Sequence, residues 1–333
     1  MRFDRHTFSQ ARLIRDGLFY QSARNTPHVL PISLLGPRGP ATVEAGPAKE
    51  RKSVHKRSIV FAALATLVMV SSAIQARAQE TKLTWLGHAA FAITTPKGKV
   101  LLIDPWLRNP ANPDVKAGRD PLASLTKADY ILITHGHRDH VGDAVEIATK
   151  TGAALIANPE LSANMVKLVD FPAKQAGTYI MQMGGEIQIA DGEVTVVMTE
   201  AVHSSSVFNP KAGPNEPERA YGGSPAGFVV MIKNGPTIYH SGDTAYFKDM
   251  EVIGETYAPD LALINISQMG AKLSARAAQS LRAKVAVPMH FATFEGLLPS
   301  ADEFATEVKK LKIGFYQMKP GETISFRGKQ IIK

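Results

Sequence analysis

The chain has 333 residues and a basic excess, with 38 lysines and arginines against 30 aspartates and glutamates. Residues 1–78 carry 12 of the basic and 4 of the acidic groups, which leaves 26 of each on the remainder. A formally neutral body argues against a nucleic-acid partner, which selects a basic stripe on the folded domain. The absence of cysteine excludes disulfides and thiolate metal ligands.

Residues 1–50 are rich in proline, glycine and arginine without a sustained apolar period, so this leader is expected not to fold. A translation start at Val54 from an alternative codon would remove it altogether. Arg51, Lys52, Lys56 and Arg57 then precede an apolar run over 59–70 and the triplet Ala76-Arg77-Ala78. This is the pattern of a secretory signal peptide over 51–78, with cleavage after Ala78 and a periplasmic product. The apolar run is shorter than the ~20 residues a spanning helix needs, so no stable membrane anchor is expected.

Residues 79–333 are expected to form one domain, long enough to bury a substantial core. Short strands are predicted over 82–86, 90–94 and 100–103, followed by proline-rich coil and a buried strand over 130–134. A short helix is predicted over 143–150. Alternating runs over 186–189 and 193–198 flank Asp191-Gly192, a hairpin signal, and a second pair over 227–232 and 237–239 flanks Asn234-Gly235. Between the pairs, the proline- and glycine-rich stretch 209–225 reads as a flap. Buried strands over 261–264 and 285–287 enclose a helix over 274–283. An amphipathic helix over 301–311 precedes two terminal strands joined at Arg327-Gly328. Two strand-rich halves, each backed by helices, predict an α/β fold of the αββα sandwich type.

The run Thr134-His135-Gly136-His137-Arg138-Asp139-His140 follows the apolar residues 130–133 directly and packs three imidazoles and a carboxylate into six residues. Imidazole and carboxylate cost free energy to bury unless something pairs with them, and a divalent cation does so. Of the ten histidines, seven lie after residue 78, and His88, His203, His240 and His290 join the cluster as residues beside predicted strand ends. Strand ends are where a rigid scaffold aims side chains at a common point. Ser204, Ser205 and Ser206 lack a Gly-x-Ser-x-Gly elbow, so they are read as supports for the ligands and not as nucleophiles.

From residue 82 to the C-terminus the chain resembles the metallo-β-lactamase fold superfamily, whose landmarks appear in order as Asp104, the cluster His135 to His140, His203, Asp243 and His290. The phrases Gly87-His88-Ala89, Leu102-Ile103-Asp104-Pro105, Val202-His203-Ser204-Ser205, Tyr239-His240-Ser241-Gly242-Asp243-Thr244 and Pro288-Met289-His290-Phe291 resemble the UPF0173 metal-dependent hydrolases, similar to the ascorbate-6-phosphate lactonase branch. The resemblance implies two divalent ions. His135, His137 and His203 would hold the first, Asp139, His140 and His290 the second, with Asp243 bridging and Asp104 orienting the histidine loop.

Such a site would lower the pKa of a bridging water toward neutrality, so the expected activity is hydrolysis of a small-molecule ester, lactone or phosphodiester by metal-bound hydroxide. Asp139 is expected to serve also as general base. His88 and His240 are expected either to stabilise an oxyanion or protonate the leaving group, or to support the ligands by hydrogen bonding. Zinc is the expected metal, and manganese, iron and nickel suit the same donors. Flavodiiron reductases differ by a glutamate in the cluster and a flavin domain, which argues against oxygen chemistry. A noncatalytic periplasmic metal-binding protein is the alternative reading of these ligands. Trp106, Phe208 and Tyr221 lie in loops beside them, as pocket lining or as lid packing.

Overall fold

The computed structural model describes residues 80–214 and 217–332. The expected leader, signal peptide and cleavage point lie outside the described residues, as do Asn215 and Glu216 of the expected flap.

The chain opens with an antiparallel meander of β1 (Glu80–Gly87), β2 (Ala90–Thr94) and β3 (Val100–Ile103). Two single turns follow, α1 (Pro113–Lys116) and α2 (Pro121–Ser124), each with proline at its start behind a capping Asn112 or Asp120. Next come β4 (Tyr130–Leu132), α3 (Arg138–Val141), α4 (Ala144–Thr151), β5 (Ala154–Ala157), α5 (Pro159–Val169), α6 (Ala173–Ala176) and β6 (Tyr179–Ile180). The second half begins with the hairpin β7 (Glu186–Ile189) and β8 (Val194–Glu200), then the small pair β9 (Ser206–Phe208) and β10 (Arg219–Tyr221). It continues through β11 (Ala226–Ile232), β12 (Thr237–His240), α7 (Met250–Tyr257), β13 (Leu261–Asn265), α8 (Ile266–Ser280), β14 (Val285–Met289), α9 (Asp302–Lys310) and β15 (Gly314–Phe315). The strands β16 (Thr323–Arg327) and β17 (Gln330–Ile331) return to the first sheet, where β16 pairs with β1.

Two mixed sheets result, in the orders β17-β16-β1-β2-β3-β4-β5-β6 and β15-β14-β13-β12-β11-β8-β7. Burial on both faces explains why the parallel strands read as continuous apolar runs. In β3, Leu101 and Ile103 join the core shared with the second sheet, whereas Leu102 joins the core shared with α4 and α5. In β4, Tyr130 and Leu132 take the first side and Ile131 the second. Each fully buried aliphatic side chain of this kind contributes about 1.5–3 kcal/mol relative to exposure. The expected α/β sandwich of the αββα type is the observed fold. Among the described residues no helix is long and apolar enough to cross a membrane.

Three departures from the expected elements have local causes. The helix expected over 274–283 starts at Ile266 instead, capped by the Asn265 side chain on the amides of Ser267 and Gln268. Gly270 (φ 72°, ψ 164°) interrupts it and hides its first turn from a periodicity reading. Helix α5 was not expected, although Asn158 caps it, Pro159 opens it, and Leu161, Met165 and Leu168 form its buried stripe. The expected flap over 209–225 contains a strand, β10, which binds it to β9.

The turn from α3 into α4 holds the histidine loop against the segment after β3. Gly142 there has φ 44° and ψ −120°, and a Cβ on it would lie 2.4 Å from the Trp106 Cα. Gly152, which ends α4, also has a positive φ of 76° but faces open space. Gly152→Ala should therefore cost about 1 kcal/mol of unfolding free energy and Gly142→Ala at least twice that, measured by urea denaturation. Equal losses would contradict the close approach at Trp106.

Candidate metal centre

The side chains of the cluster issue from strand ends, from the turns after them and, for Asp139 and His140, from the short helix α3. His88 sits in the turn between β1 and β2, Asp104 follows β3, and the loop from Thr134 to His140 follows β4 into α3. From the second sheet, His203 follows β8, Asp243 follows β12 and His290 follows β14. Three overlapping groups arise: His88, Asp139, His140 and His290; His135, His137 and His203; and His135, His140 and Asp243. Within each group the candidate ligand atoms lie within 4.8 Å of one another.

Asp104 organises the loop. Fully buried, with φ 45°, its carboxylate accepts the Thr134 amide at 2.8 Å, the Thr134 hydroxyl at 2.7 Å and His140 Nδ1 at 2.7 Å. Because the Thr134 hydroxyl proton is given to Asp104, its oxygen accepts from His135 Nδ1 at 3.0 Å. The network thus assigns the Nδ1–H tautomer to His135 and His140 and turns the Nε2 lone pair of each into the cluster. Burial holds His135 well below the usual histidine range, hence neutral, and His137 and His203 are lowered for the same reason.

His140 Nε2 has no hydrogen bond, yet it lies 3.2 Å from Asp243 Oδ1 and 3.7 Å from Asp139 Oδ2. His290 Nδ1 and Nε2 are likewise buried without a hydrogen-bond partner, and Nε2 lies 3.4 Å from both Asp139 Oδ2 and Asp243 Oδ2. A lone pair facing a carboxylate is unfavourable unless a proton or a cation lies between them. Burial opposes charging His140, but Asp243 and Asp104 outweigh it and raise its pKa well above the ordinary value. Burial also opposes ionised Asp243 and Asp139, and the surrounding histidines hold both carboxyls well below the usual range. Orphaned ring nitrogens beside ionised carboxylates are the donor set of a divalent cation, so these residues fit the metal their chemistry implies.

Of the two roles open to His240 and His88, this geometry favours support of the ligands by hydrogen bonding. His240 is fully buried, donates from Nε2 to the Ala89 carbonyl at 2.9 Å and accepts the Gly242 amide on Nδ1 at 3.1 Å. With both nitrogens on backbone, His240 shapes the turn that presents Asp243 and has no proton to give a leaving group. His88 is also fully buried, with Nε2 on Asp139 Oδ2 and Nδ1 on Thr293 Oγ1, each at 3.0 Å. Burial pushes its pKa down to about 4, against the pull of Asp139, so it is neutral at pH 7 and holds Asp139 in place.

Several supports were not singled out from sequence. Asn265 donates to Asp243 Oδ1 at 2.6 Å while its carbonyl oxygen caps α8, and the only hint was its place at a helix start. Thr134 was inside the quoted motif without a role, and Thr293 carried no signal. Ser205 Oγ accepts the Gly136 amide at 3.2 Å, which fits the supporting role read for the serine run.

Comparison with known proteins identifies the family. Residues 99–291 match the model of the beta-lactamase superfamily domain. A UPF0173 metal-dependent hydrolase of Thermodesulfovibrio yellowstonii is 42% identical over 274 residues, covering 80% of this chain and 98% of the relative. Another from Anaeromyxobacter dehalogenans is 44% identical over 253 residues, covering 74% and 87%. Among solved structures, Igni18, a metallo hydrolase from the archaeon Ignicoccus hospitalis, is 32% identical with a TM-score of 0.61, covering 74% of this chain and 98% of that one. The fold and site are those of a metal-dependent hydrolase of the beta-lactamase superfamily. Within it, the chain belongs to the UPF0173 family.

Asp104→Asn keeps one acceptor oxygen where the Thr134 amide and His140 Nδ1 each use a different one, so an NH2 group faces one of these donors. Metal affinity, measured by chelator competition, should fall about 10- to 100-fold. Unchanged affinity would contradict the orienting role of Asp104.

Proposed function

We propose that the chain is an exported hydrolase of small esters, lactones or phosphodiesters that uses two divalent cations, with zinc as the first candidate. His135, His137 and His203 would hold one, Asp139, His140 and His290 the other, and Asp243 would be shared. The observation that carries this reading is the position of the Asp243 carboxylate between the two histidine groups. Its Oδ2 lies 3.7 Å from His203 Nε2 and 3.4 Å from His290 Nε2, and its Oδ1 3.2 Å from His140 Nε2.

Bound there, paired dications supply a water of lowered pKa and polarise the scissile group. The protein's part is to hold and to move protons. Asp139, the more exposed of the two carboxylates, takes the proton of the attacking water. His88 on its Oδ2 fixes the orientation of that carboxylate. Asn265 keeps Asp243 from turning, and Asp104 keeps His140 in the tautomer that offers Nε2 inward. Hydrolysis then adds one water across the ester, lactone or phosphodiester bond and leaves an acid and an alcohol.

Export rests on the charged head, apolar run and small-residue triplet of residues 51–78. Cell fractionation with N-terminal sequencing should find a periplasmic product starting at Gln79; a cytosolic product retaining residues 51–78 would contradict export.

Metal-loaded protein should hydrolyse members of a panel of p-nitrophenyl esters, bis-p-nitrophenyl phosphate and lactones. A chelator should abolish turnover and the metal restore it. Asp139→Asn should lower kcat at least about 100-fold, the scale of general acid–base catalysis, with metal content measured alongside. Turnover within tenfold of the parent would remove Asp139 from the mechanism. No turnover across the panel would favour a metal-binding role instead.

A further inference from the structure

The two ends of the cluster have different walls. Among the described residues, the ring contacts of His135, His137 and His203 are with other histidines. At the other end, His88 lies tilted against His290 with ring centroids 3.8 Å apart and, besides His140, meets two rings from outside the ligand set, Trp106 edge-on at 5.2 Å and Phe294 at 5.6 Å. Trp106 and Phe294 lie 6.5 Å apart. Phe208 has its ring covered by the Arg138 guanidinium at 3.4 Å, so it offers no comparable face.

Phe294 is 45% exposed, and the loop that carries it is anchored on both sides. Thr293, the residue before it, meets His88 Nδ1 at 3.0 Å and the Phe291 carbonyl at 3.2 Å. Beyond it, Leu298 exchanges backbone contact with Ala292, whose amide donates to the Leu298 carbonyl at 2.8 Å, and Leu298 donates to Ser267 Oγ at 3.3 Å. His290 and Ala292 both hold positive φ, 61° and 52°, a conformation that costs free energy in non-glycine residues. An anchored backbone thus keeps a phenyl ring half in solvent beside the residue that orients Asp139.

We propose that Trp106 and Phe294 form a specificity wall for an aryl or similarly broad apolar group attached next to the scissile bond. The inference rests on the hydrolytic reading above and adds the substrate class. Rings of this kind prefer edge or offset contact with an aromatic guest at centroid separations of about 4.5–7 Å.

The test uses carboxylate products as probes and the intrinsic fluorescence of Trp106; the only other tryptophan, Trp85, is buried. Zinc-loaded protein should bind phenylacetate at least about tenfold more tightly than acetate, the scale of one aromatic contact with its buried area. Phe294→Ala, with its thermal transition checked, should bring the two affinities within about twofold. Leu273→Ala, an exposed apolar change on α8, should leave the preference intact. Equal affinities in the parent, no detectable binding of phenylacetate, or a preference that survives Phe294→Ala would overturn the proposal. Preference in binding without turnover on the ester and lactone panel would contradict the hydrolytic reading alone, and turnover without preference would contradict the wall alone.

Discussion

Imidazoles and carboxylates buried together at the ends of two sheets are unstable by themselves, because each loses its water and several point the same kind of atom at one another. His290 Nδ1 is buried without a partner, but three other outward nitrogens of the cluster are satisfied: His135 by Thr134, His140 by Asp104, His88 by Thr293. The inward ones on His140 and His290 are not. The open Nε2 atoms of His140 and His290, each facing carboxylate oxygens, are the constraint from which the metal-binding reading follows. A cation between the open nitrogens and the carboxylates of Asp139 and Asp243 removes the conflict.

The sandwich exists in a form suited to that constraint. Both sheets send the ends of their strands to one edge, so residues far apart along the chain, such as Asp104 and His290, are brought together without long loops. The supports come from turns whose backbone is itself unusual. His88, Asp104 and His290 all have positive φ, a conformation that costs free energy in non-glycine residues. Local backbone cost and site geometry are therefore one feature of the fold.

Much of this was legible in the sequence. The apolar strand before Thr134 and the crowding of His135, His137, Asp139 and His140 marked the metal loop, because ligand spacing is a local property. The alternating and continuous apolar runs marked β1 to β4, β7, β8 and β11 to β14, because burial on one face or two leaves that imprint. What escaped was non-local or ambiguous. Asn265 and Thr293 gain their roles from partners more than twenty residues away, and neither residue type announces them. Phe294 reads as an ordinary loop aromatic until His88 is placed beside it. His240 stood in the same context as the inward-facing histidines, and only its two backbone hydrogen bonds distinguish it.

In the proposed centre Asp243 would be shared by two cations, one among His135, His137 and His203 and one among Asp139, His140 and His290. Anomalous diffraction at the metal edge from crystals of the metal-loaded protein addresses it directly. Two peaks about 3.5–4 Å apart, each within bonding distance of an Asp243 oxygen, are the predicted result. A single peak under saturating metal, or two peaks of which only one contacts Asp243, would contradict it.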